Sequence, residues 1–127
     1  MNQRHILVAD VADADERMRA LFAGAQLRFT RTHDEALREL AEGACDLLVI
    51  GVHFDDSRMF ELLRAVRAQQ RFAGVRVLCV KSRRPGRISI PSRELEVAVR
   101  ALGADGFFDL SDRADDESLR GKLRALL

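Results

Sequence analysis

Apolar positions along this chain alternate between two rhythms. Short continuous blocks, His5 to Ala9, Leu47 to Ile50 and Val75 to Val80, have the length and composition of strands buried on both faces of a parallel sheet. Between them, apolar residues recur three and four apart, the period of a helix with one face on a core. Met18, Leu21 and Phe22 form such a stripe, with Asp13 and Glu16 as a capping box and Gly24 as its end. Leu27 and Phe29 alternate with Arg28 and Thr30, which predicts a half-exposed edge strand over Gln26 to Arg31.

A second capping box, Thr32 with Glu35, opens a helix through Ala36, Leu37 and Leu40 to Gly43. After the central strand and Gly51, Asp56 or Ser57 is the expected N-cap of a helix carrying Phe60, Leu63 and Arg67 to about Gln69. Lys81 to Pro91 has two prolines and no helical period and reads as the long loop. Ser92 is the expected cap of a helix with Leu95, Val99 and Leu102, closed by Gly103. Phe107 and Phe108 mark a fifth strand, and Asp115 to Glu117 open a last helix with Leu119, Leu123 and Leu126 on one face.

Five strands alternating with five helices through short connections call for right-handed crossovers and a sheet covered on both sides. The expected fold is α/β and flavodoxin-like: a doubly wound five-stranded parallel sheet of order 2-1-3-4-5. Its crevice should open where the strand order reverses, between Asp10 and Gly51.

Length and charge narrow the picture. The 127 residues suit one domain spanning 1–127, with no output domain attached. The 21 basic and 20 acidic residues, net +1, point to neither a polyanion nor a membrane surface as partner. The N-terminal apolar block is far shorter than a signal-peptide core, and a cytoplasmic protein is the expectation. Cys45 and Cys79 belong to opposite ends of parallel strands and are expected as unpaired thiols.

At the level of whole segments, HILVAD, DEALRELAEGACDLLVI, FELLRAVR and GADGFFDL make the chain resemble the receiver domains of two-component response regulators. The resemblance implies a phosphoacceptor aspartate at the end of strand three, two acids after strand one holding Mg²⁺, a hydroxyl after strand four and a lysine after strand five. Carried onto this chain, the acceptor falls on Gly51, the acidic pair on Asp10 and Val11, and the hydroxyl on Cys79, or on Val80 if the register slips. The lysine falls on Leu110, with Ser111 where the family has proline, and the aromatic switch on Phe107. Nucleophile, cation, hydroxyl and one acid are missing together, so the resemblance implies the scaffold without the phosphorylation chemistry.

Other candidates are weaker. Asp55 and Asp56 are the nearest carboxylates to the vacant position and could stand in as unorthodox phosphoacceptors, against the plainer reading of a solvated, helix-capping loop. His53 could bind a metal with Asp10 and Asp55, but no second histidine is spaced to help, and no metal or cofactor is expected. Cys79 reads as a buried strand residue before it reads as a reactive thiol.

The run Lys81, Arg83, Arg84, Arg87 and Arg93 contains no acid and could grip an acidic partner or close over a small anion or nucleotide in the emptied pocket. It has no aromatic to stack on a base, which argues against nucleic acid.

No motif supports an enzyme: GxGxxG, Walker, GxSxG and CxxC patterns are all lacking. The expected function is that of a phosphorylation-independent pseudo-receiver, binding another signalling or regulatory protein or a second copy of itself. The expected contact face carries Val97, Ala101, Phe107, Phe108 and Leu126.

Overall fold

The computed structural model describes residues 3–81, 91–110 and 117–127. Five parallel strands, β1 (His5–Ala9), β2 (Gln26–Thr30), β3 (Leu47–Gly51), β4 (Arg76–Lys81) and β5 (Gly106–Asp109), form one sheet in the order β2-β1-β3-β4-β5. This is the flavodoxin-like arrangement expected from the alternation. Every residue of β3 is buried, whereas β2 at the edge is mostly half-exposed, as its alternating pattern requires.

Helices α2 (His33–Glu42), α3 (Met59–Arg67) and α4 (Ser92–Ala101) cover one face through Leu40, Leu62, Leu63, Val66, Leu95 and Val99. The other face is covered by α1 (Asp15–Leu21) and α5 (Glu117–Arg124), through Met18, Leu21, Leu119 and Leu123. Alternate residues of β1 and β3 feed the two cores: Leu7, Ala9, Leu48 and Ile50 one side, Ile6, Val8, Leu47 and Val49 the other. At about 2 kcal/mol per fully buried aliphatic side chain, this two-sided burial is the main stabilising term.

Local signals were of uneven value. Thr32 caps α2 as expected: its Oγ1 accepts the Glu35 N–H at 3.2 Å, while Glu35 Oε1 reaches back to the Arg31 N–H at 2.8 Å. The Asp13 box does not form, because a 3-10 turn (Ala12–Ala14) takes up its residues and α1 begins at Asp15 behind Ala14. Nor does Ser92 cap α4. Pro91 holds the N-cap position, and the Ser92 hydroxyl donates instead to Asp109 at the end of β5. Neither Asp56 nor Ser57 caps α3: both lie in a left-handed turn within Phe54–Ser57, and Arg58 is the N-cap.

One side chain ties several connections together. From the end of α3, Arg67 donates to the carbonyls of Gly103 at 2.8 Å and Val75 at 2.9 Å, and to Asp105 Oδ2 at 3.0 Å. Asp105 Oδ2 also accepts the Val77 N–H at 2.8 Å. The Gly103–Gly106 segment is thereby pinned to β4, with Gly103 at φ +105° making the turn out of α4.

Candidate functional site

The crevice lies at the carboxyl ends of β1 and β3, where the strand order reverses. Asp10 follows β1 directly and is 1% exposed. Its Oδ1 accepts the Val11 N–H at 2.8 Å, an arrangement that turns the carboxylate back over the sheet. Gly51 ends β3 beside it. A Cβ built on Gly51 would lie 2.0 Å from Asp10 Cγ and Oδ1 and 2.2 Å from Oδ2. The Asp10 carboxylate therefore occupies the space in which any side chain at position 51 would begin.

Val11 continues in extended backbone and is half-buried; its side chain offers no oxygen to a cation. Arg31, just past β2, closes this edge of the crevice. It donates to the Asp10 carbonyl at 3.0 Å and pairs with the Asp15 carboxylate. Among the described residues no three His, Cys, Asp or Glu side chains gather to hold a metal ion, and the His53, Asp10 and Asp55 set considered from sequence does not assemble.

The fourth strand runs one residue further than its apolar block suggested, and this moves the site. Gly51 pairs with Val80, and the Val52 N–H donates to the Val80 carbonyl at 2.9 Å. Cys79 is thus one register step back, opposite Ile50 and Phe107, with no exposed surface. Burial pushes its thiol up to about 12, so it is neither a crevice residue nor a reactive thiolate. At the end of β4 stands Lys81, 7% exposed and paired in register with Asp109. Its placement at the strand end was missed because lysine breaks the apolar block while its backbone still belongs to the ladder.

On the far side, Leu110 is 1% exposed and packs among Val80, Leu119 and Leu123. Its N–H donates to the Lys81 carbonyl at 2.8 Å, and its own carbonyl accepts from the Arg17 guanidinium, which crosses from α1. Arg17 carries no sequence signal beyond its place on the polar flank of α1.

Past Gly51 the chain is unusual. Asp55, Asp56 and Ser57 take φ of 45°, 54° and 66°, three successive non-glycine residues in the left-handed region. Phe54, fully buried, anchors the turn. Asp55 Oδ2 accepts the His33 N–H at the start of α2 at 2.8 Å and faces Arg58 at 3.5 Å. Asp55 is thus occupied in capping a neighbouring helix, and Asp56 is exposed.

Of the expected contact face, Val97 is 67% exposed and Ala101 is exposed one turn on, both on α4. Phe108 and Leu126 are half-buried against the α1 and α5 core. Phe107 is a correction: it is 8% exposed and packed under α4, so it is no surface contact. Arg93 is exposed in the first turn of α4, while Arg83, Arg84 and Arg87 lie outside the described residues. Cys45 and Cys79 are both free thiols. Among the described residues no helix is long and apolar enough to cross a membrane.

No protein-family model and no curated protein sequence matches the chain. Solved structures do. The chemotaxis response regulator CheY4 of Vibrio cholerae is 21% identical, with a TM-score of 0.78 over 99% of this chain and 100% of that one. A putative response regulator from Chloroflexus aurantiacus J-10-fl is 17% identical, with a TM-score of 0.79 over 98% of each chain. The signal receiver domain of a signal transduction histidine kinase from Syntrophus aciditrophicus is 23% identical, with a TM-score of 0.75 over 98% of this chain and 89% of that one. The chain has the fold of CheY-like receiver domains along essentially its whole length.

Proposed function

We propose that this chain is a pseudo-receiver, a non-enzymatic signalling module that takes no phosphoryl group and acts by binding another protein. The observation that carries the reading is the Asp10 carboxylate seated where a side chain at position 51 would start. The place of the acceptor is taken by the surviving acid, and no oxygen nucleophile remains at the end of β3. Leu110 in the core and Val11 in place of the second acid support the same reading, since neither can stabilise a phosphoryl oxygen or Mg²⁺. The binding face is that of α4 and β5, where Val97 and Ala101 leave an apolar step exposed one helical turn apart. The partner is a signalling or regulatory protein, or a second copy of this chain in a homodimer.

A second reading, binding of a small anion in the crevice, is favoured by one observation: Lys81, a cationic residue only 7% exposed, stands at the end of β4, next to the strand that ends at Gly51.

Amide NMR during titration with Mg²⁺ and then beryllofluoride, followed by intact mass after acetyl phosphate, tests the proposal. The expected outcome is no shift with either titrant and no added mass. A gain of one phosphoryl group would overturn it and move attention to Asp55 or Asp56. Saturable shifts confined to Asp10, Gly51 and Lys81 with phosphate alone would favour the anion site.

A further inference from the structure

At the end of the sheet opposite Asp10 and Gly51 lies a solvent-open cleft of about 370 Å³, within the size range of small-molecule sites. Its apolar wall is made by Leu21 and Phe22, each 6% exposed, with Ala25; they continue the core under α1 and α5. Its polar rim carries Arg4, Arg120 and Arg124, and none of the lining side chains is acidic. Both α1 and α5 end here, and helix C-termini alone would favour a cation. Three guanidiniums reverse that preference. Among the described residues, Arg4 and Arg120 make no ion pair, and Arg124 pairs only with Glu117 at the surface, a contact worth little.

We propose that this cleft binds a free amphiphilic anion, a carboxylate or similar acid head on a short hydrocarbon body. The hydrocarbon lies against Leu21 and Phe22, where it is removed from water. The head group accepts charge-assisted hydrogen bonds from Arg4 and Arg120 at the rim. Neither half of the site explains the other: a purely structural apolar dimple needs no arginine beyond those that offset the helix C-termini, and a solvated basic patch needs no cleft behind it. The site is independent of the crevice and of the phosphorylation reading.

Octanoate is the probe, followed by amide NMR on the full chain, with acetate and 1-octanol as controls lacking the tail and the charge. Saturable shifts at residues 4, 21–25 and 120–127 are expected with octanoate, at least about tenfold tighter than with either control. The Arg4→Ala/Arg120→Ala double variant, altered only at exposed positions, should lose about tenfold in octanoate affinity and keep its weak octanol response. Ala23→Trp at the rim should block binding without touching the charges. Equal response to octanoate and octanol, shifts elsewhere, or an unaffected double variant would each overturn the proposal. So would binding only to phosphatidylglycerol-containing vesicles and not to monomeric octanoate, which would assign the arginines to a membrane surface.

Discussion

The contact between Gly51 and Asp10 can be tested by its coupling. Gly51→Ala places a methyl group 2.0 Å from the Asp10 Cγ and Oδ1, well inside van der Waals contact, so the carboxylate must rotate away. Rotation forfeits the 2.8 Å bond from the Val11 N–H, and the rearranged carboxylate must find room in a site where Asp10 is 1% exposed. Overpacking of this kind costs about 1–3 kcal/mol, and a hydrogen bond to a charged group about 1.5–3 kcal/mol. Taken at the low end of both ranges, and with alanine returning about 0.4–1 kcal/mol by restricting the unfolded chain, the net loss is at least roughly 2 kcal/mol. Urea denaturation should show this as a midpoint lowered by about 1 M at an unchanged slope. In an Asp10→Ala background the obstacle is gone, and Gly51→Ala should be neutral or slightly stabilising. The expected coupling energy is therefore about 2 kcal/mol. Additive single and double variants, within about 0.5 kcal/mol, would refute the steric reading.

Three further outcomes follow from other parts of the molecule. Burial raises the Cys79 thiol from 9.0 to about 12; the unfolded chain then loses its proton first, so stability is intact below pH 9 and falls by about 1.4 kcal/mol per pH unit above it. A pH series of urea midpoints, flattened in Cys79→Ala, checks this. Asp56→Gly and Ser57→Gly relieve left-handed backbone at φ 54° and 66° and should each stabilise by about 1 kcal/mol, read as a rise in melting temperature; a fall would mean the turn is right-handed in solution. Arg67→Ala strands the Gly103 and Val75 carbonyls and Asp105, and should cost about 2–3 kcal/mol while hydrogen exchange accelerates at Val77 and the Gly103–Gly106 turn.

The alternation of apolar blocks with helical stripes was enough to specify the sheet, its order and one of its two edges, β2. Burial on two faces demands continuous apolar runs such as Leu47 to Ile50, and those runs are visible without a structure. That position 51 offers no side chain was equally plain, because glycine's lack of one is a property of the residue itself. Capping was legible only where side chain and backbone agree locally, as at Thr32. At Asp13, Ser57 and Ser92 the same residue types serve turns or distant partners instead, since a polar side chain can satisfy its hydrogen bonds in several ways.

Distances across strands belong to the tertiary structure alone. Whether Asp10 points outward or folds over Gly51 depends on contacts between residues 41 positions apart, which no local pattern encodes. Lys81 at the end of β4, Cys79 in the core and Asp55 on the α2 N-terminus are set by register and by long-range hydrogen bonds. The chain alone thus determined the scaffold and the glycine at the end of its third strand. Packing decided that the Asp10 carboxylate lies over Gly51, because shape complementarity between distant residues arises only once the sheet has closed their separation.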